Sequence, residues 1–257
     1  MKVTVITVCL NASANITETI ESVLGQKGCD YEYIIKDGGS SDETLEIIEK
    51  YELQFREKGR ELKVFIQIDK GIYDAMNQAL VLCGETDYVI FMNAGDKFYN
   101  NHVLEDFCKR NSKAEIQIGL TCLKLKKGTI IAQPHINAEI FSFYHQSVFV
   151  KTQIMKMYGF NIDYKIAADR DALLKIRKEG YDVTLINMVV SMYDSEGFST
   201  KHMDRMIKES REIDYKYNIR NKPFNKGIWK LRILCYKIVP VLERICAIRN
   251  IIKSGDV

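Results

Sequence analysis

The chain contains the stretch Tyr88-Val-Ile-Phe-Met-Asn-Ala-Gly-Asp96, which decides the fold. Its first five residues are apolar and mostly β-branched or aromatic, so they predict a buried strand that ends at Met92. The tetrad Asn93-Ala-Gly-Asp96 follows at once and brings a carboxylate to the carboxyl end of that strand. Open α/β sheets bind their ligands along this edge. The stretch therefore predicts an α/β domain with a ligand site beside Asp96.

A second acidic loop follows another predicted strand. The run Tyr31-Glu-Tyr-Ile-Ile-Lys36 leads into Asp37-Gly-Gly-Ser-Ser-Asp-Glu-Thr44. Glycine, serine and aspartate are also the ordinary residues of a βα turn, so a structural and a functional interpretation both stay open. In the functional one, the glycines let a ligand approach without a Cβ in the way, and the carboxylate meets a base or ribose. Together with Asp96, this loop suggests a site for a nucleotide and a cation.

The rest of the chain extends this unit in both directions. In the first half, apolar strands alternate with helical stripes, which predicts a mostly parallel, Rossmann-like sheet flanked by helices. The predicted strands there cover 3–10, 31–36, 62–68 and 88–92. The second half is less regular, with strands over 116–120, 123–126, 129–131 and 183–192 and helices over 169–178 and 200–217. The predicted fold class is therefore α/β.

Composition limits the class of protein. The chain has 257 residues, 46% of them apolar, and its formal net charge of +3 is too small to indicate a nucleic-acid partner. The seven cysteines are odd in number and lack a C-x-x-C pair, so they indicate neither a disulfide framework nor a zinc site and favour a reducing cytosol. The first residues lack the features of a signal peptide, and no uncharged run approaches the length of a bilayer span. We therefore expect a protein that works inside the cell.

A basic tail follows the predicted domain. From Lys222 to Val257 the chain carries eight lysine and arginine residues against two acids, interleaved with apolar residues that include Trp229. Such a segment either packs as a helix on its own domain, with cations whose alkyl stems cover apolar surface, or lies on a membrane with its basic face toward anionic lipid. We favour the second interpretation and predict an amphipathic helical tail over 221–257 that associates with a membrane.

Two further features supply polar side chains. The motif Asp69-Lys-Gly-Ile-Tyr-Asp-Ala-Met-Asn77 enters a predicted helix, where Asp69 or Asp74 can serve as a cap. Asn77 lies next to the buried stripe of that helix, so we expect it to point toward the ligand edge. Asp96 offers one metal ligand, because Mg²⁺ and Mn²⁺ prefer oxygen and let substrate phosphates and water complete their coordination.

Four motifs in this order resemble those of family 2 glycosyltransferases, in particular the bacterial branch that builds surface polysaccharide and O-antigen. They are Thr7-Val-Cys-Leu-Asn11, the Asp37 loop, Asp69–Asn77 and Asn93–Asp96. The resemblance implies the GT-A fold over 1–220, with a nucleotide-binding half, 1–98, and an acceptor-binding half, 99–220. It also implies inverting transfer from a nucleotide-diphospho-sugar, usually UDP-linked, with Mn²⁺ or Mg²⁺.

The same resemblance assigns roles on the donor side. Asp96 is the metal ligand that ends the element usually written D-x-D, here with Asn93 and Gly95 where acids are common. Asp37 would face the uracil ring. The complete set of predicted donor-binding residues is Thr7, Asn11, Asp37, Asp69, Asn77, Asn93, Ala94 and Gly95.

On the acceptor side, Ala168-Asp-Arg-Asp171 resembles the family's Glu-Asp-x-Asp, which makes Asp169 the catalytic base and Asp171 the second candidate. The chemistry needs one carboxylate within hydrogen-bond reach of the acceptor hydroxyl, on the face opposite the leaving diphosphate. The segment His145-Gln-Ser147 resembles a His-Gln-Ser element of the bacterial branch, which makes His145 a candidate contact for donor or acceptor.

We therefore expect a cytoplasmic glycosyltransferase, peripheral on the inner face of the cell membrane, that moves a hexosyl or N-acetylhexosaminyl group from a UDP-sugar to a lipid-linked glycan. Two other classes stay open. A sugar-nucleotide pyrophosphorylase needs a glycine-rich basic loop after the first strand, where this chain has Asn11-Ala-Ser-Ala14. A non-catalytic nucleotide-sugar-binding protein at the membrane is the other, because positions 93 and 95 lack acids.

Overall fold

The computed structural model describes residues 1–110, 112–125, 128–137, 141–194 and 202–219. The helices are α1 Ile16–Leu24, α2 Thr44–Glu57, α3 Ile72–Leu82, α4 Val103–Cys108, α5 Thr152–Tyr158, α6 Ala168–Lys178 and α7 Met203–Lys216. The strands are β1 Lys2–Cys9, β2 Asp30–Asp37, β3 Leu62–Ile66, β4 Tyr88–Phe91, β5 Lys97–Phe98, β6 Ile116–Lys124, β7 Thr129–Ala132, β8 His135–Ile136, β9 Phe141–Ser142, β10 Val148–Lys151 and β11 Val183–Asp194. The predicted α/β class is confirmed, and the tail predicted over 221–257 lies outside the described residues.

The strand order places the acidic loops at one edge. Within the described residues the main sheet is nine-stranded, in the order β3-β2-β1-β4-β10-β6-β11-β5, with β7 paired to β6. Strands β3, β2, β1 and β4 are parallel, as successive βα units require. Strand β10 is antiparallel to both β4 and β6, so the second half of the sheet is mixed. Because β1 lies between β2 and β4, the loops that follow these three strands meet at the same edge.

Helices cover both faces of the sheet. Side chains alternate along a strand, so Val89 and Phe91 of β4 pack with α3, α5 and α6, whereas Tyr88 and Ile90 pack with α1, α2 and α4. A strand that is buried on both faces has no polar face. This is why the sequence of β4 is continuously apolar and why it identified the centre of the fold.

A disulfide bond joins Cys29 to Cys108, although the cysteine pattern indicated no disulfide framework. The two residues are 79 positions apart in sequence, and the packing of α4 beside the start of β2 brings them together, which their spacing does not reveal. Cys9, Cys83 and Cys122 are buried and free. Among the described residues, no helix has both the length and the apolar character needed to span a membrane.

Candidate active site

The turn after β4 has a shape fixed by a glycine and by α1. Gly95 has a φ of +99°, in the left-handed region that favours glycine. The hydroxyl of Thr19 donates to the carbonyl oxygen of Asp96 at 2.7 Å and accepts from the N–H of Gly95 at 2.9 Å. Helix α1 therefore holds this turn in place, through a residue that the sequence analysis did not identify.

A cavity of about 770 Å³ lies beside this turn. It collects predicted site residues from three separate parts of the chain. Those that line it are Asn93, Ala94, Gly95, Asp96, His145 and Asp169. The predicted metal ligand and the predicted base therefore share one cavity, although 72 other residues separate them along the chain.

His145 lies between the two carboxylates. Its Nε2 is 3.6 Å from Oδ2 of Asp96, and its Nδ1 is 3.9 Å from Oδ2 of Asp169. Burial opposes protonation of the ring, but the hydrogen bond and charge of Asp96 and the charge of Asp169 outweigh it, so the pKa of His145 is raised. The Nε2 of His145 also lies 3.2 Å from Nδ2 of Asn93.

Asp96 and Asn93 fit a divalent cation. The side chain of Asp96 is 10% exposed, and its Oδ1 accepts a hydrogen bond of 3.3 Å from Nε2 of Gln146. Oδ1 of Asn93 is buried without a hydrogen-bond partner, and both atoms are oxygen donors of the kind that Mg²⁺ and Mn²⁺ prefer. The described residues contain no group of three or more His, Cys, Asp or Glu that could hold a metal ion. Substrate phosphates and water would therefore have to supply the other ligands.

Asp169 lies in the first turn of α6 with its two oxygens in different surroundings. Oδ1 accepts from the backbone N–H of Arg170 at 2.8 Å and from the hydroxyl of Tyr73 at 3.2 Å. Oδ2 is the oxygen closer to His145. A carboxylate that is anchored through one oxygen can offer the other to a proton donor, as a general base must. Tyr73 belongs to the motif 69–77, but the sequence analysis did not identify it as a site residue.

Asp171, the second candidate for the base, does not line this cavity. It is 3% exposed, and its Oδ1 accepts a hydrogen bond of 2.8 Å from Nζ of Lys216 on α7. Two residues along an α-helix correspond to a rotation of about 200°, so Asp169 and Asp171 point to different sides of α6. The structure therefore gives Asp171 a role in packing α7 against α6.

Two predicted donor residues have their polar groups engaged inside the protein. The hydroxyl of Thr7 is fully buried and donates to the carbonyl oxygen of Met92 at 2.6 Å. The amide of Asn77 donates to the carbonyl oxygen of Phe160 at 2.8 Å and accepts from the N–H of the same residue at 2.8 Å. Both side chains hold the fold together in this structure and do not line the cavity, and the donor-binding role expected for them stays a prediction.

Asp37 shapes its own loop. Its side chain is fully buried, and Oδ1 accepts from the N–H groups of Gly39 at 2.8 Å and Ser40 at 2.7 Å. Oδ2 accepts from the hydroxyl of Ser40 at 2.6 Å. This is the local bonding by which aspartate stabilises turns. The carboxylate is therefore bonded to its own loop in this structure, and its contact with a uracil ring stays a prediction.

Asn11 and Asp69 flank this loop. Oδ1 of Asn11 accepts from the N–H of Ser41 at 2.9 Å. Asp69 forms a buried ion pair with Lys36, and a Cβ on Gly38 would lie 2.8 Å from its carboxylate. These predicted donor residues therefore form a second group at the carboxyl edge, beside β2, outside the set that lines the cavity.

A Rossmann-like sheet that presents an oxygen-rich turn and a second carboxylate to one cavity is the arrangement expected of a glycosyltransferase of the GT-A fold. Residues 4–162 match the family described as Glycosyl transferase family 2. The chain belongs to this family and is a glycosyltransferase. Asp96 lies within the matched residues and Asp169 lies beyond them.

Individual relatives agree with this assignment. The chain is 25% identical over 219 residues to the PGL/p-HBAD biosynthesis glycosyltransferase of Mycobacterium bovis (strain BCG / Pasteur 1173P2), across 82% of this chain and 84% of the relative. It is 35% identical over 113 residues to the poly-beta-1,6-N-acetyl-D-glucosamine synthase of Staphylococcus epidermidis, which covers 41% of this chain and 25% of that protein. The first relative is named as a biosynthesis glycosyltransferase and the second as a synthase of poly-beta-1,6-N-acetyl-D-glucosamine.

Solved structures share the fold. S. aureus TarS 1–349 in complex with UDP-GlcNAc superposes with a TM-score of 0.66 at 19% identity, covering 88% of this chain and 69% of TarS 1–349. The mannosyltransferase PcManGT from Pyrobaculum calidifontis, in complex with GDP-Man and Mn²⁺, gives a TM-score of 0.65 at 17% identity. The match covers 86% of this chain and 65% of PcManGT. The GT-A fold predicted from the sequence is therefore confirmed. Family membership also decides against a pyrophosphorylase.

Proposed function

We propose that this protein transfers one sugar, with inversion, from a UDP-sugar to a hydroxyl group of a lipid-linked glycan in the synthesis of a surface polysaccharide or O-antigen. The observation that carries the proposal is that Asp96 and Asp169 line one cavity with His145 between them. A direct displacement requires the donor site and the base on the acceptor side to share one cavity. The UDP-GlcNAc in the TarS structure supports the choice of donor.

The reaction is a single displacement at the anomeric carbon. The acceptor oxygen forms a bond to that carbon while the bond from carbon to the diphosphate oxygen breaks, and the nucleoside diphosphate leaves with the electron pair. Asp169 accepts the proton of the acceptor hydroxyl at Oδ2, because Oδ1 is engaged by Tyr73 and Arg170. Attack opposite the leaving group inverts the anomeric configuration, as in inverting glycosidases.

Other residues bind the donor. Asp96 and Oδ1 of Asn93 would hold Mn²⁺ or Mg²⁺, which, when bound, offsets negative charge on the departing diphosphate. The Mn²⁺ in the PcManGT structure supports a divalent cation in this family. His145 lies beside Asp96 in the same cavity and contacts the donor or the acceptor.

The basic segment 221–257 is the basis for the proposed acceptor and cellular location. We propose that the basic segment 221–257 binds the inner face of the cell membrane, where a lipid-linked acceptor is available to a cytoplasmic enzyme. Eight cations in this segment meet anionic headgroups, each at about 1 kcal/mol near the surface. Sedimentation of the full chain with phosphatidylglycerol vesicles, but not with phosphatidylcholine vesicles, would support this part of the proposal. Equal sedimentation with both would contradict it.

A donor screen tests the activity. The full chain is incubated with UDP-glucose, UDP-galactose, UDP-N-acetylglucosamine and GDP-mannose, with Mn²⁺ and with EDTA, and release of the nucleoside diphosphate is measured. We expect Mn²⁺-dependent release from a UDP-sugar and, with a lipid-linked oligosaccharide acceptor, a product of inverted anomeric configuration by NMR. A product of retained configuration, or no turnover of any donor, would refute the proposal.

A further inference from the structure

A carboxylate from α7 binds the backbone that leads into the helix of the catalytic base. Glu209 accepts hydrogen bonds from the N–H groups of Lys165 at 3.0 Å, Ile166 at 2.8 Å and Ala167 at 3.1 Å. Its side chain is 7% exposed, and Nε of Arg205 donates to its Oε1 at 2.9 Å. The first N–H groups of a helix have no partner within the helix, and the positive end of the helix dipole favours an anion there. Glu209 therefore binds, from another part of the chain, the segment that leads into α6 and ends at its N-cap residue Ala167.

Two ion pairs attach α7 to the residues immediately beyond Asp169. Nε of Arg170 donates to Oδ1 of Asp214 at 3.0 Å, and Nζ of Lys216 donates to Oδ1 of Asp171 at 2.8 Å. With the bonds of Glu209, α7 holds the backbone before Asp169 and the side chains after it. The carboxylate of Asp169 itself lines the cavity.

The carbonyl group of Ile166 is bound by a residue of α3. The hydroxyl of Tyr73 lies 2.7 Å from the carbonyl oxygen of Ile166 and 3.2 Å from Oδ1 of Asp169. Glu209 therefore binds the N–H of Ile166 while Tyr73 binds its carbonyl oxygen. A segment held at both polar groups cannot shift without breaking one of these bonds, and Asp169 follows it by only three residues.

We propose that Glu209 is a positioning residue for the transfer reaction. By holding the N–H groups of Lys165, Ile166 and Ala167, it fixes the first turn of α6 and with it the distance from the Asp169 carboxylate to a bound acceptor. The inference rests on the proposed function, in which Asp169 is the base. Glu209 lies outside the residues that match the family, so the family profile does not describe this contact.

The test compares Glu209→Gln with Glu212→Gln in the full chain. Glu212 lies on the same helix, but its side chain is 54% exposed and lies 4.0 Å from Lys208. The assay measures diphosphate release with Mn²⁺ from whichever of the four sugar nucleotides named above the wild type turns over fastest. For Glu209→Gln we expect kcat to fall about 10- to 100-fold, because a misplacement of about 1 Å at a reacting group has such an effect. We expect KM for the donor and affinity for UDP to stay within about twofold, and Glu212→Gln to behave as wild type.

Several results would overturn the inference. A folded Glu209→Gln protein with wild-type kcat, or with kcat and UDP affinity lost in parallel, would show that Glu209 only stabilises the fold. Should Glu209→Gln fail to fold by circular dichroism, Glu209→Asp keeps the charge with a shorter reach and is held to the same expectation. Asp169→Asn is measured alongside. If it keeps wild-type kcat, or if the wild type turns over none of the donors, the proposed function fails; if Asp169→Asn is inactive while Glu209→Gln is normal, only this inference fails.

Discussion

The hydroxyl group of Tyr73 donates a hydrogen bond to Oδ1 of Asp169 across 3.2 Å. The ring of Tyr73 packs against Phe160, with ring centroids 5.5 Å apart, so the hydroxyl is the part of this side chain that acts on the base. Replacing Tyr73 by phenylalanine keeps the ring and removes the hydroxyl, with its contacts to Asp169 and to the carbonyl oxygen of Ile166. The substitution therefore tests how the hydroxyl orients Asp169 while the ring packing against Phe160 is kept.

We expect Tyr73→Phe to lower kcat about tenfold, since a lost hydrogen bond to a charged group is worth about 1.5 kcal/mol or more. UDP affinity should not change, because the hydroxyl contacts the base and the carbonyl of Ile166. Steady-state kinetics and UDP calorimetry make the measurement. Tyr51→Phe is the matched control, because its hydroxyl donates to Glu21 at 2.7 Å and Tyr51 does not line the cavity. An equal loss in both variants would contradict the prediction.

The two carboxylates at the start of α6 should separate by function. Asp169→Asn removes the proposed base, and we expect kcat to fall at least about 100-fold while UDP affinity is nearly unchanged. Asp171→Asn removes the partner of Lys216, and we expect it to lower the free energy of unfolding by about 1 kcal/mol and to leave kcat within a few-fold. Steady-state kinetics and urea unfolding of both variants show which carboxylate acts in catalysis and which one stabilises the fold. A loss of kcat in Asp171→Asn but not in Asp169→Asn would exchange their roles.

The proposed cation site predicts one variant that binds Mn²⁺ more weakly and one that binds it more strongly. Asp96→Asn should weaken Mn²⁺ binding and make diphosphate release insensitive to EDTA, because the carboxylate is the charged ligand of the site. Asn93→Asp should strengthen Mn²⁺ binding about tenfold, since affinity rises with the number of charged ligands and Oδ1 of Asn93 is buried without a partner. Isothermal titration with Mn²⁺ in the presence of UDP measures both. Unchanged Mn²⁺ affinity in both variants would place the cation elsewhere.

The sequence predicted the framework because its signals are local. Strand β4 is recognisable since burial on both faces leaves a continuous apolar run, and Asp96 follows it directly. The motif Asp69–Asn77, however, contains both Tyr73 and Asn77, and helical spacing does not show which of the two contacts Asp169. That depends on Ile166 and Phe160, which lie more than 80 positions away along the chain and come into contact only in the folded protein.

Thr19 and Glu209 had no signal in the sequence for a different reason. Both bind backbone N–H or carbonyl groups of the site, which every sequence possesses and which therefore leave no pattern. Thr7 shows the opposite case, in which a residue within a resembling motif points into the core. A motif identifies a segment of the site, but the packing of the segment decides which of its side chains line the cavity.

Asn77 provides a test of that distinction. Its two hydrogen bonds to the backbone of Phe160 join α3 to the loop after α5, so we expect Asn77→Ala to lower the free energy of unfolding by about 2 kcal/mol through buried groups left unpaired. Affinity of the folded protein for UDP should remain that of the wild type. Urea unfolding and UDP calorimetry make the comparison. A loss of UDP affinity without loss of stability would restore the donor-binding role predicted from the sequence.

The bonds of Glu209 also predict how stability depends on pH. Burial alone would raise the pKa of this carboxyl, but the N–H groups of Ile166 and Lys165, with Arg205, more than offset it and hold the pKa below its ordinary value. The unfolded chain releases this proton near pH 4.3, so the ionised group stabilises the folded state fully above about that pH. As the pH falls through the lower pKa of the folded state, this contribution is lost.

The difference in unfolding free energy between wild type and Glu209→Gln should therefore be about 2 kcal/mol at neutral pH, as expected for a charged group that accepts several hydrogen bonds. It should shrink once the pH drops below about 4, because the protonated glutamic acid then resembles glutamine in charge. Urea unfolding at pH values of about 7, 5 and 3.5 measures it, with Glu212→Gln expected to show little difference at any of them. A difference for Glu209→Gln that is the same at all three values would mean that the stabilisation comes from the shape of the side chain, and that its charge at the start of α6 is not what holds the segment before Asp169.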